Sequence, residues 1–123
     1  MLNVKIGKIG FDNPIMVASG TYGYGNEVMG IANVNGLGGI VTKSVTLNPR
    51  EGNPPPRIHE TSSGMLNSIG LANVGVDSYI KDKLPYLNEL NTKIIINIAG
   101  SSIDEYITVL EKLEESEGRH VGY

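Results

Sequence analysis

Three short apolar runs, each closed by polar residues, constrain this chain more than any other feature. Ile15 to Ala18 ends on Ser19 and Gly20, and Ile40 to Thr42 ends on Lys43 and Ser44. The third run, Lys93 to Gly100, is dense in isoleucine and is interrupted only by Asn97. The first two runs predict buried strands, and the third, dense in β-branched residues, predicts a strand covered on both faces. Helical segments between them predict a parallel α/β sheet. Ahead of the runs, Val4 to Phe11 alternates apolar and other residues around Gly7 and Gly10, which predicts a β-hairpin preceding the main fold.

The clearest helix follows the third run. Ser102, Ile103, Asp104 and Glu105 form a capping-box pattern, and Ile103, Tyr106, Ile107, Leu110 and Leu113 recur at helical spacing for about four turns. A weaker helix is expected over Asn26 to Ala32, and Val121 to Tyr123 reads as the start of a fourth strand.

Two parallel architectures fit this order, a doubly wound sheet and a barrel. No Gly-x-Gly-x-x-Gly turn follows the first strand, as a nucleotide-binding doubly wound sheet usually shows. All three runs end on polar residues and loops, as barrel strands do at the face where active sites form. The gap from Lys43 to Asn97 is also more than double that from Ser19 to Lys43, leaving roughly 30 residues beyond one strand-helix unit. The excess runs from Thr46 to about Val74 and holds Pro49, Pro54, Pro55 and Pro56. Long loops of this kind are usually lids or binding loops. The fold class expected is therefore α/β, the N-terminal part of a (β/α)8 TIM barrel with an N-terminal β-hairpin and a long lid inserted after the second barrel strand. A whole barrel takes about 250 residues, so residues 1–123 would make an incomplete single domain, about half of one.

A net charge of -3 offers no basic stripe for nucleic acid or an anionic membrane. The chain has no cysteine, which excludes disulfides, thiolate metal sites and a thiol nucleophile within it. The N-terminus lacks the apolar run of a secretory leader or a membrane anchor, so a soluble, cytoplasmic protein is expected.

Chemistry would gather at the strand ends. A lysine closing an apolar strand either reaches water or meets an anion, and on a barrel Ser19, Lys43, Ser44 and Asn97 converge on one mouth. Asn97, between Ile96 and Ile98, either satisfies neighbouring backbone or faces a ligand, because an unpartnered buried amide costs about 1 to 3 kcal/mol. Taken alone, Asn67, Ser68, Ile69, Gly70 and Leu71 read as a turn. His59 and His120 have no partners at metal spacing and read as surface residues, so no metal site is expected. Tyr106 reads as packing on the apolar stripe, and Glu111, Glu114, Glu115 and Glu117 as a solvated helix end.

Five stretches taken in register resemble the dihydroorotate dehydrogenases: 13–25, 39–46, 48–57, 65–73 and 97–100. The start at Met1 resembles the soluble class 1 enzymes. The loop Ala-Ser-Gly-Thr-Tyr-Gly-Tyr-Gly over 18–25 looks most like class 1B, the NAD-linked catalytic subunit. The resemblance implies oxidation of dihydroorotate to orotate in pyrimidine synthesis, by hydride transfer to FMN. It implies flavin-binding roles for Ser19, Lys43, Ser44 and Asn97, and substrate-binding roles for Lys43 and for Asn67, Ser68, Ile69, Gly70 and Leu71. Arg57 would support the proline-rich cover. The implied partners are a second catalytic subunit and an electron-transfer subunit carrying FAD and an iron–sulfur centre. The family's catalytic base is a cysteine just after the next strand, expected beyond Tyr123, so the chain reads as an N-terminal fragment lacking its base. Alternatives are a class 1A fumarate-reducing enzyme, a dihydropyrimidine dehydrogenase-type domain, or a non-catalytic module that binds flavin or pyrimidine.

Overall fold

The computed structural model describes residues 2–123. Strands β1 (Val4–Ile6) and β2 (Ile9–Phe11) pair antiparallel, with Ile6 opposite Ile9. The main sheet contains β3 (Met16–Val17), β4 (Gly39–Val41) and, after the long excursion, β7 (Lys93–Ile95). They are parallel and lie in chain order, β3 beside β4 beside β7. Val121 donates to the Ile94 carbonyl at 2.8 Å and Ile96 donates to the Gly122 carbonyl at 2.9 Å. A fourth parallel segment therefore begins on the far side of β7, where the apolar Val121 places it. Sequential parallel order without a reversal is the order of a closed barrel; a doubly wound sheet changes direction at its switch point.

Between β4 and β7 the chain forms an antiparallel hairpin, β5 (Ile58–Thr61) and β6 (Gly64–Asn67), with every residue exposed. It then enters α1 (Gly75–Ser78), a wider π turn over Tyr79–Lys83, and α2 (Leu84–Asn88). The widening has a local cause, because Pro85 has no N–H to donate and its ring would strike the carbonyl four residues earlier. Helix α3 (Ile103–Glu115) follows β7, with the Ser102 hydroxyl accepting from the Glu105 amide at 3.2 Å. The Glu105 carboxylate reaches back to the Ser101 amide at 2.5 Å, one residue further than a standard capping box.

Helices cover one face of the sheet. Ile40, Val45, Ile94 and Ile96 are buried against Val76, Tyr79, Leu84 and Leu87, with Val109 and Leu113 of α3 completing the layer. Burying these side chains supplies the main driving force, about 1.5 to 3 kcal/mol each.

Three sequence expectations need correction. The helix expected over Asn26 to Ala32 is only a 3₁₀ turn at Asn26–Val28, followed by another at Val34–Gly36. A seven-residue segment with no side-chain cap and no buried residue in its turn cannot offset helix nucleation. The α3 stripe is also rotated. Val109 and Leu113 carry the packing, whereas Ile103, Tyr106 and Ile107 are exposed at 77%, 40% and 47%. The sheet contacts the edge of the expected arc at Leu113 together with Val109, which lies just beyond that edge, and leaves the opposite edge to solvent. Finally, β7 is not covered equally on both faces: Ile94 and Ile96 are buried while Ile95 is half-buried, since the described helices lie on one side only.

Candidate functional site

The three strand ends meet at one edge of the sheet. Ser19 lies just beyond β3, Lys43 and Ser44 just beyond β4, and Asn97 just beyond β7. The Asn97 Nδ2 donates to Ser19 Oγ at 2.7 Å, joining residues far apart in sequence. The Asn97 carbonyl accepts from the Val45 amide at 2.8 Å, and its own amide approaches Thr42 Oγ1 at 3.4 Å. Asn97 thus satisfies neighbouring groups and also stands behind a residue of the site. Because Ser19 Oγ accepts this bond, its own proton remains available to donate outward.

Beside this edge lies an open cleft of about 240 Å³. One wall is Ser19, Gly20, Lys43 and Ser44; the other is the returning chain, Asn67 with Ile69 to Ala72. Seven of the residues singled out in the sequence therefore share a cleft: Ser19, Lys43, Ser44, Asn67, Ile69, Gly70 and Leu71. Two do not line it. Asn97 sits behind Ser19. Ser68 is turned to the opposite side, where its Oγ and carbonyl accept from Asn53 Nδ2 at 2.8 and 3.0 Å. It borders a neighbouring cleft of about 210 Å³ with Arg57 and His59. Adjacent residues in extended chain face opposite ways, so Asn67 and Ile69 share a wall that Ser68 cannot.

Lys43 is half-buried and forms no ion pair among the described residues, where the two found are Lys83 with Glu27 and Lys112 with Asp77. A half-buried lysine side chain without a carboxylate partner is placed to meet an anionic ligand. Its position is set by the loop before it, since the Lys43 amide donates to the Gly23 carbonyl at 2.8 Å.

Two residues that sequence reasoning did not assign to the site shape it. Tyr24 is buried, and its hydroxyl donates to the Ser44 carbonyl at 3.3 Å while accepting from the Val74 amide at 3.4 Å. Burial raises the pKa of this phenol; the bond from Val74 opposes the rise and the charge of Glu27 adds to it. Asn73, also buried, accepts at Oδ1 from the Thr46 amide at 3.3 Å and the Gly75 amide at 2.9 Å. Its Nδ2 donates to the Leu71 carbonyl at 2.8 Å. Asn73 also exchanges both backbone hydrogen bonds with Arg50, at 2.9 and 3.0 Å. The signal available was an asparagine two residues before Gly75 at the end of the excursion, a pattern as common in ordinary turns.

Other candidates take plain structural places. Arg57 braces the proline-rich loop, donating to the carbonyls of Asn53 and Glu51. His59 is exposed on β5. His120 is not a simple surface residue. Its ring is half-buried against Tyr123, with Nε2 2.6 Å from the Tyr123 hydroxyl, and burial lowers its pKa while Glu114 pulls it upward. No helix among the described residues is long and apolar enough to cross a membrane.

Residues 1–121 match the family model described as dihydroorotate dehydrogenase. The chain is 53% identical over 120 residues to the dihydroorotate dehydrogenase B (NAD(+)) catalytic subunit of Thermodesulfovibrio yellowstonii, covering 98% of this chain and 40% of that protein. It is 47% identical over 114 residues to the protein of the same name from Geobacter metallireducens, covering 93% of this chain and 37% of the relative. The chain therefore spans about two fifths of the length of these relatives. Among solved structures, DHODH from Eimeria tenella in complex with ferulenol superposes with a TM-score of 0.71 at 19% identity, over 90% of this chain and 33% of that one. The ligand-free form gives 0.66 at 21% identity, over 91% and 34%. These superpositions speak to the fold, while the family match and the identities to the bacterial relatives speak to descent: the chain belongs to the dihydroorotate dehydrogenase family.

Proposed function

We propose that this chain is the first part of a (β/α)8 barrel enzyme that oxidises dihydroorotate to orotate in pyrimidine synthesis, with FMN as its cofactor. The observation that carries this reading is Lys43, a half-buried lysine with no ion pair among the described residues, lining a cleft between the strand ends and the segment Asn67 to Leu71.

The donor set suits a flavin beside a small anionic pyrimidine. Ser19 has a free proton to donate, its oxygen being held by Asn97. Ser44 is fixed through its carbonyl by Tyr24. Ser19, Lys43 and Ser44, backed by Asn97, would hold the flavin; Lys43, Asn67, Ile69, Gly70 and Leu71 would hold the substrate, with Ser68 contributing through the backbone it shares with them. When bound, FMN supplies the two-electron acceptor of the oxidation. Lys43 offsets negative charge that builds on the reacting pair, an effect whose removal typically slows a reaction on the order of 10²-fold or more. The amide of Asn67 offers a donor and an acceptor to the planar edge of the pyrimidine. The segment 46–74 acts as a cover that keeps water from the reacting pair. Proton removal falls to a base that these residues do not contain, since the chain has no cysteine. By itself the 123-residue chain would leave dihydroorotate unchanged.

The names of the bacterial relatives support NAD as the final acceptor. Electrons would reach it through a partner subunit holding FAD and an iron–sulfur centre, joined to a homodimer of the catalytic subunit. The test is to purify the full-length protein that carries this chain and add dihydroorotate without oxygen. The visible flavin absorbance should bleach, and Lys43→Ala should slow that bleaching on the order of 10²-fold. A wild-type protein that purifies folded but colourless, or whose flavin ignores dihydroorotate, would overturn the proposal.

A further inference from the structure

The cleft wall contains one backbone anomaly. Leu71 adopts φ 57° and is the single non-glycine residue with a left-handed backbone among those described. A branched aliphatic side chain disfavours this region, and such a conformation persists only where its surroundings hold it. The group touching it is Asn73, whose Nδ2 donates to the Leu71 carbonyl at 2.8 Å. Asn73 is itself held through its Oδ1, which accepts from the amides of Thr46, where the excursion begins, and Gly75, the first residue of α1. The Thr46 hydroxyl, at 2.9 Å from that oxygen, has one proton to divide between it and the Asn48 carbonyl at 2.6 Å. The two backbone bonds with Arg50 close the excursion at the same residue. One buried side chain thus connects the entrance of the lid at Thr46, the start of α1 at Gly75 and the strained turn of the wall.

We infer that Asn73 is a positioning residue for substrate: by holding the Leu71 carbonyl it keeps Ile69, Gly70 and Leu71 in the conformation that forms the cleft wall, independently of the exposed β5–β6 hairpin. This rests on the reading of the cleft as the dihydroorotate site. Asn73 does not line the cleft, so it acts through Leu71.

Asn73→Asp is the informative variant. It is nearly isosteric and still accepts from Thr46 and Gly75, whose donors favour the ionised form. It replaces the donor facing the Leu71 carbonyl with an acceptor, so two oxygens repel where one hydrogen bond stood. In the full-length flavin-loaded enzyme, the dissociation constant for orotate, read from the perturbation of the flavin spectrum, should rise about tenfold. KM for dihydroorotate should rise with it, while kcat and flavin content stay within about threefold of wild type. Adding Leu71→Gly should recover part of the lost affinity, because glycine takes a positive φ without penalty. Leu71→Gly alone serves as the reference for the lost side chain.

Orotate affinity within twofold of wild type in Asn73→Asp would overturn the inference, as would strictly additive effects in the double variant. If Asn73→Asp does not fold or load flavin, Thr46→Val loosens the anchor without burying a charge. It should raise KM two- to fivefold at unchanged kcat, and an unchanged KM would refute the inference. A wild-type enzyme that neither binds orotate nor reduces its flavin with dihydroorotate would instead remove the functional reading beneath it.

Discussion

Replacing Gly52 with alanine should distort the cleft from outside it, and the structure separates the two reasons. Gly52 has φ +78°, and an added Cβ would stand 2.3 Å from the Ile69 carbonyl oxygen and 2.8 Å from the Ala72 Cβ. The left-handed backbone alone costs a non-glycine residue about 1 to 2 kcal/mol. Part of that is offset by the smaller entropy of the unfolded alanine chain, about 0.4 to 1 kcal/mol. The contact adds more: the Ile69 carbonyl must retreat by roughly 1 Å, with an overpacking cost of about 1 to 3 kcal/mol. That shift also strains the bond the carbonyl accepts from the Asn53 amide at 3.0 Å. The total should be about 3 kcal/mol.

Three other glycines isolate the contributions. Gly7 has φ +57° and open space around its Cβ position, so Gly7→Ala should cost about 1 kcal/mol or less from the backbone term. Gly38 lacks a positive φ, but its Cβ would fall 1.9 Å from the Asn13 carbonyl oxygen, so Gly38→Ala reports steric cost alone. Gly64 has neither feature and should tolerate alanine within about 0.5 kcal/mol. Urea unfolding midpoints at constant m-value provide the assay. If Gly52→Ala costs no more than Gly7→Ala, the packing of Gly52 against the cleft wall is wrong.

Leu113, fully buried between α3 and the sheet, should lose about 2 to 5 kcal/mol as Leu113→Ala, seen as a lower unfolding midpoint. Ser102→Ala removes the α3 cap and should cost about 1 kcal/mol by the same assay. Tyr79 is buried at 0% exposure and its hydroxyl has no hydrogen-bond partner among the described residues. Its pKa is raised, first by burial and then by Tyr24, with Thr42 acting in the other direction. The native state thus holds this proton after the unfolded chain releases it near pH 10, so the contribution is complete below pH 10 and declines above it, by about 1.4 kcal/mol per pH unit. Tyr79→Phe should stabilise the protein at neutral pH by about 1 kcal/mol and flatten its alkaline stability profile between pH 10 and 12; an unchanged profile would refute the assignment.

Much of the architecture was legible because apolar periodicity reports burial directly. The runs around Val17, Ile40 and Ile94 became parallel strands in chain order, and Val121 began a fourth. Ser102 capped a long helix. Polar residues at the ends of apolar runs have few places to go, which is why Ser19, Lys43 and Ser44 could be singled out before their cleft was visible. The helix face was harder to read, since Ile103, Tyr106 and Ile107 have the same spacing as residues that pack, and only the position of the sheet chose Val109 and Leu113.

The sequence by itself determined the positions of the main strands, the capped helix and the family, through properties that belong to one residue and its near neighbours or to short stretches in register. Tertiary structure alone decided that Ser68 turns away from the wall shared by Asn67 and Ile69, that Tyr24 braces Ser44, and that Asn73 ties Thr46 to Leu71. These contacts include side-chain hydrogen bonds in irregular chain between residues as many as 27 positions apart. No repeat records them, because their direction depends on loop geometry that exists only once the sheet and its helices have packed.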